Sequence, residues 1–512
     1  MVLIYLLLLA FLNLIIWWAV CGTLCQFLGP LPLDAVADSW SLSFFSLLSL
    51  ISGRVFVWSY YYIDGEPNYR RFLSLVSSFV FSMVLLIFLG RLFGALIGWD
   101  GLGVTSFLLV IYFKNRKSLG RGMITALTNR VGDGFLLLLL GLSLLPRDHR
   151  SYLFTRLLIL TAITKRAQFP FRSWLPAAMA APTPVRALVH SSTLVTAGIY
   201  LLMRFNNFST EWLIVLGSVT MLMAGFCACA EIDIKKIVAL RTLSQLGVIA
   251  VGLSLALKNL CFFHLITHAM FKALLFMCVG VGIHTVFGRQ DFRSYTVLNS
   301  VSPWPSFILT TANLALLGFP FLAGFYRKDR ILESFYSWGN RGWSLAGFLL
   351  GVGLTTAYRV KLTNLAIVRS ANERPACLNG GGLAWIVKAP LLCLAVFSVT
   401  GGFLLSTDYR ALRPCISQAD KLAPLCLISL GVFLGLFVRN LKKRYFRAIW
   451  NLTPYYQLRS SQALPIRGSL GVDGGLAEVR GGPGLKGPLQ LSSQLIQPAI
   501  NTGLLVLLCI VL

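Results

Sequence analysis

The chemistry in this sequence rests on a few ionisable residues set inside long apolar runs: Asp100, Lys165, His190, Lys235, His264, His268, Lys272 and Lys328. His264, His268 and Lys272 recur every four residues in one apolar stretch. On a helix they fall on nearly one face and span about 12 Å of rise. Three titratable groups on such a stripe suit proton exchange, because imidazole titrates near neutrality and a desolvated lysine loses its proton readily. A single satisfied histidine is the plainer reading of either site, and the stripe is what favours a relay. No HExxH pattern or additional acid accompanies the pair, so a metal site is not expected.

Lys165 ends an apolar run and is followed by Pro170, Pro176, Pro182 and Pro184. Proline lacks the backbone donor and blocks the helical ladder, so the segment should break. Lys328-Asp329 follows a second interruption, Gly318-Phe319-Pro320 to Gly324. Broken helices inside a bilayer are tolerated where they line a cavity, and paired interruptions in two halves point to inverted repeats around an ion path. A lysine snorkelling at a span end is the competing reading of Lys165, and a helix cap is that of Asp100. Asp133, Asp233 and Asp329 are the neighbouring acids, and Lys236 follows Lys235 before another apolar run.

The elements that position these groups must be membrane spans. The chain has 512 residues, is 56% hydrophobic and is only 12% charged, about half the charge of a soluble domain, which excludes a soluble globular enzyme. Stretches of about 20 apolar residues, enough to cross a bilayer, fall at 3–24, 40–62, 73–91, 92–113, 121–145, 151–166, 183–204, 212–230, 236–257, 260–286, 303–322, 330–358, 382–405, 421–439 and 495–512. The fold class expected is therefore all-α and polytopic, with about 14–16 transmembrane helices in two inverted repeats carrying broken helices. Residues 1–72 would form N-terminal helices, 73–230 and 231–405 the two repeats, and 406–512 C-terminal helices with an extramembrane connection at the glycine-rich 466–488. The run from Met1 reads as a retained span, neither signal nor transit peptide. The basic loop Lys114 to Lys117 and the cluster at Lys442, Lys443, Arg444 and Arg447 should face the compartment of synthesis.

The formal charge of +27 suggests an anionic partner, yet the cations are interspersed among apolar runs, so nucleic acid is not expected. The eleven cysteines show no ligand spacing and read as small buried hydrophobes. No dinucleotide fingerprint or iron–sulfur spacing occurs, so no redox centre is expected in this chain.

The strings Gly98-Trp99-Asp100-Gly101-Leu102-Gly103, Thr128 to Asp133, Gln168-Phe169-Pro170 through Trp174-Leu175-Pro176 and Ala181 to Val185 to His190, then Asp233 to Lys236, His264 to Lys272 and Lys328-Asp329 occur in one order. Over about residues 35–445 this closely resembles the subunit 5 family of NADH:ubiquinone oxidoreductase, the distal antiporter-like subunits of the respiratory complex I membrane arm, in its mitochondrially encoded version. The resemblance implies a multi-pass protein of the mitochondrial inner membrane. It also implies proton translocation coupled to electron transfer in other subunits, which would hold NADH, FMN, iron–sulfur clusters and ubiquinone. Its partners would be the other membrane-arm subunits and the lipid bilayer. By motif, Asp100 matches the acid opposite the first-half lysine, Lys165 that lysine, His190 and Lys235 the central axis, His264 and His268 its histidines, and Lys328 the second-half terminal lysine. Asp100 stands where many members have Glu, which shortens its reach, and the glycines of 466–488 argue against an unbroken lateral helix there. Two other classes carry similar features: the large subunit of a multisubunit cation/proton antiporter, and a structural membrane anchor whose buried charges are scaffolding.

Of the 45 basic residues 31 are arginine, several inside spans. Arg54, Arg121, Arg166, Arg172, Arg186, Arg241, Arg327 and Arg359 stand where members of the family commonly carry Ser. Several metazoan mitochondrial codes read AGA and AGG as Ser, so these eight positions are expected to be serines written as arginines.

Overall fold

Apolar runs with no aqueous exit for backbone polar groups must satisfy those groups within each segment, and the chain does so as helices. The structure, a computed structural model, describes residues 35–144, 151–205, 211–231, 233–285, 303–318, 331–335, 342–363, 385–408 and 429–435, with isolated positions besides. Its helices are α1 Ser39–Tyr62, α2 Tyr69–Phe88, α3 Leu92–Val110, α4 Arg116–Leu144, α5 Ser151–Lys165, α6 Trp174–Ala177, α7 Thr183–Val189, α8 Leu194–Phe205, α9 Glu211–Ala230, α10 Ile234–Ser254, α11 Lys258–Thr285, α12 Pro303–Leu317, α13 Gly342–Thr363 and α14 Trp385–Asp408. Among the described residues nine segments are long and apolar enough to cross a membrane, with 183–205 counted as one. The expected spans at 3–24 and 495–512 lie outside the described residues.

Three of these segments, 183–205, 234–254 and 258–285, each hold an 18-residue stretch that is buried throughout, whereas α1 to α4, α9 and α14 keep an outward face. A helix that is apolar all round belongs in the interior of a bundle, and these three are the ones that carry His190, Lys235, and the His264 to Lys272 stripe. α11 lies at the centre, packed on α1, α7, α10, α12 and α14. α9 and α10 approach so closely that a Cβ at Gly217 would stand 2.9 Å from the Gly247 carbonyl oxygen, and one at Gly247 2.8 Å from that of Gly217. Only glycine at both positions permits this crossing.

The break expected after Lys165 is present. α5 stops there, Ala167 takes a left-handed φ of 53°, and the chain passes Pro170 to the single turn of α6 and a 3-10 turn at Ala178–Ala180. The indole of Trp174 ties the broken segment back to the end of α5 by donating to the Thr164 carbonyl at 2.8 Å. The segment 183–204, expected as one span, is two helices parted at His190–Thr193. At this second break Ser191 Oγ donates to the Ala187 carbonyl while the Ser191 N–H turns to the Leu188 carbonyl at 3.3 Å, and Leu188 also accepts from the Ser192 N–H at 3.2 Å and from Thr193 Oγ1 at 2.9 Å. In the second half the expected span at 330–358 overlaps α13, and residues 331–335 are also helical.

Candidate functional site

The first-half site is built where α3, α4 and α5 meet. Lys165, the last residue of α5, has no solvent exposure. Its Nζ donates to the Trp99 carbonyl at 2.5 Å and lies 4.3 Å from the centre of the Trp99 ring. Gly103, one turn further along α3, lies beside the same ammonium: a Cβ there would sit 3.7 Å from Nζ, an ordinary contact. The Trp99 indole N–H in turn donates to Asp133 Oδ1 on α4 at 2.9 Å. Arg130, one turn before Asp133, joins both acids, at 2.7 Å to Asp100 and 3.3 Å to Asp133.

Asp100 therefore meets Arg130 and is not in ion-pair contact with Lys165. Asp133, Asp100 and Arg130 are the charged groups within electrostatic reach of the lysine. The Asp100 and Arg130 side chains are 46% and 57% exposed, although they lie at mid-height of α3 and α4.

The central group lies deeper. His190 caps α7, and its ring lies 6.0 Å from that of Phe276 on α11. It is within electrostatic reach of Arg186 and of Lys272, which lies on α11. Lys272 is buried and donates to the Val238 carbonyl of α10 at 2.7 Å. His264 and His268 are buried one turn apart, with ring centres separated by 6.0 Å. Lys235, also buried, stands in the first turn of α10 near Arg186 and Asp233, and Asp233 pairs with Lys236 at 2.8 Å. Lys165 makes no hydrogen bond to His190 or Lys235, so first-half and central groups are separate clusters among the described residues. Lys328 and Asp329 lie outside the described residues.

One residue escapes a reading of motifs. Lys388 lies on α14, two positions before the helix-internal Pro390, in a segment able to cross the membrane and packed on the histidine-bearing α11. The signal was the one that marks Lys165, a lysine beside a proline interruption, but the surrounding run is otherwise smoothly apolar.

Enclosed helices broken at proline and hydroxyl residues, threaded by buried lysines and histidines, define an antiporter-like membrane subunit. Residues 90–355 match the family described as NADH:quinone oxidoreductase/Mrp antiporter, transmembrane. The chain is 42% identical over 463 residues to NADH-ubiquinone oxidoreductase chain 5 of Anopheles quadrimaculatus, covering 85% of this chain and 79% of that one. It is 42% identical over 426 residues to the protein of the same name from Lumbricus terrestris, covering 80% and 74%. The chain belongs to the NADH-ubiquinone oxidoreductase chain 5 family. In fold it is similar to a chain of the Mrp complex from a Dietzia species, with a TM-score of 0.71 at 22% identity, covering 91% of this chain but only 55% of that one. It is also similar to a chain of an archaeal membrane-bound sulfane sulfur reductase, with a TM-score of 0.64 at 20% identity, covering 76% and 84%.

Proposed function

We propose that this chain carries protons across the mitochondrial inner membrane as a core membrane-arm subunit of NADH:ubiquinone oxidoreductase. Electron transfer from NADH to ubiquinone in other subunits drives it. NADH, FMN, iron–sulfur clusters and ubiquinone belong to those partners, and the chain itself contributes no redox site. The observation that carries the reading is the enclosed Lys165, held against Trp99 and ringed by Asp133, Asp100 and Arg130.

Opposite charge nearby favours the protonated lysine, and burial without it favours the neutral amine. Shifting Arg130 between Asp100 and Asp133 changes the negative charge that Lys165 feels, so ionic rearrangement on α3 and α4 loads or releases a proton at α5. The onward route is Lys235, His190, Lys272 and the His264/His268 pair, toward Lys388 on α14 and the Lys328-Asp329 segment. Residues 73–230 and 231–405 act as the two repeats that house these halves. A charged pair left open to lipid at mid-span costs about 2.5–3.5 kcal/mol per group on insertion scales. The Asp100–Arg130 face is therefore one that a neighbouring membrane-arm subunit covers.

Replacing Lys165 with Ala is the test. Assembled complex should keep NADH oxidation in uncoupled membranes and lose proton pumping. Normal pumping by an assembled variant would refute the role and favour the scaffold reading. A free-standing cation/proton antiporter would purify without NADH dehydrogenase activity.

A further inference from the structure

The acid pair and the lysine of the first-half site do not touch, and one residue lies between them. Trp99 makes three contacts with two partners: its indole N–H donates to Asp133 at 2.9 Å, its carbonyl accepts from Lys165 at 2.5 Å, and its ring lies 4.3 Å beneath the Lys165 ammonium. The side chain is only 1% exposed, so its orientation is set by packing within the bundle. Cation–π contact is strongest for tryptophan and grows when desolvated, and a carboxylate that accepts an N–H bond is fixed in position as well as stabilised. Gly103 lies against the same ammonium: the only heavy atom within 4 Å of a Cβ added there is Lys165 Nζ, at 3.7 Å, an ordinary contact that the further methyls of a branched side chain would crowd. Phenylalanine would supply the ring face and no N–H; histidine would supply an N–H and a smaller ring. Tryptophan supplies the ring face and the N–H together.

We propose that Trp99 is a positioning residue that registers Asp133 to Lys165, so that a change in the Arg130–Asp100–Asp133 bridge reaches the lysine as a change in its proton exchange. This rests on the proton-carrying reading of Lys165. The charged groups facing the Asp133–Lys165 pair are Asp100 and Arg130. Trp99 does not itself exchange a proton; it holds the carboxylate and the ammonium at a fixed separation.

The test uses intact complex in sealed membranes carrying Trp99→Phe, Gly103→Val, Asp133→Asn, the Trp99→Phe/Asp133→Asn double variant, or Lys165→Ala. Pumping per NADH oxidised is measured against pH. Trp99→Phe keeps the ring beneath the ammonium and frees Asp133 from its donor. A carboxylate deprived of an N–H bond protonates at higher pH, so the acidic limb of the pumping profile should move upward by roughly one pH unit. The shift should vanish in the Asp133→Asn background. Gly103→Val leaves Trp99 intact and crowds the ammonium off the carbonyl, and it should lower pumping several-fold with assembly preserved. This variant carries the test if Trp99→Phe fails to assemble. An unshifted profile in assembled Trp99→Phe, an equal effect in the Asp133→Asn background, or full pumping by Gly103→Val would each overturn the role of Trp99. Full pumping by Lys165→Ala would instead overturn the proton-path reading beneath it.

Discussion

Arg166, Arg241 and Arg359 are expected to be serines in the protein as the mitochondrial ribosome makes it, and their surroundings give the size of the argument. All three lie at 0–1% exposure. Each guanidinium has one hydrogen bond, to a neutral acceptor: Arg166 to the Leu246 carbonyl at 3.0 Å, Arg241 to Asn313 Oδ1 at 2.6 Å and Arg359 to the Leu316 carbonyl. Two further nitrogens of each are buried without a hydrogen-bond partner. An uncompensated buried charge costs about 3–5 kcal/mol. Three such sites together cost about 9–15 kcal/mol, as much as the whole folding free energy of a typical domain, about 5–15 kcal/mol. Arg241 and Arg359 moreover flank the same Tyr358 ring, at 5.7 and 5.8 Å, and both bear on Lys272. Serine at these positions would bond back to the preceding turn, as Ser244 does to the Arg241 carbonyl at 2.9 Å.

Arg130 and Arg204 are the internal controls. Both have acid partners, Asp100 and Asp133 for one and Asp38 for the other, and neither is among the eight positions assigned to serine. Peptides of the mature chain, cut by a protease indifferent to arginine and weighed by mass spectrometry, should carry Ser at 166, 241 and 359 and Arg at 130 and 204. The same outcome is expected at 54, 121, 172, 186 and 327. Arginine in those peptides, or CGN codons at those positions in the mitochondrial DNA, would refute the reasoning. The consequence for function is local. Without the cations at 186, 241 and 359, Lys272 is the one charged group left acting on His190, and the two arginines that bear on Lys272 are gone.

Two further outcomes follow from particular contacts. Gly217→Val should separate α9 from α10 and destabilise the subunit by about 1–3 kcal/mol or more, the range for overpacking, read as loss of assembled complex on native gels. Lys388→Ala should assemble normally and reduce pumping per NADH oxidised, whereas unchanged pumping would assign Lys388 to the membrane boundary.

How far the sequence discloses the site depends on which residues create each feature. The break after Lys165 is legible because prolines create it, and a missing N–H is a property of one residue read alone. The interruption at His190–Thr193 is not legible in the same way. The run 183–204 is predominantly apolar and carries no interior proline after Pro184, and at its break the Ser191 hydroxyl, not the Ser191 N–H, takes the Ala187 carbonyl, a competition whose winner depends on the packing around α7. The partnership of the first-half charges divides along the same line. Arg130 and Asp133 are three apart on one helix, so their pairing could be read from spacing, but the third member comes from α3, and tertiary packing alone decides that Asp100 turns to Arg130 and not to Lys165. A motif therefore identifies which groups carry charge, and the approach of α3 to α4 and α5 decides which of them meet. The contacts that join acid to lysine pass through Trp99, whose type in the sequence announces packing and nothing of the connection it makes.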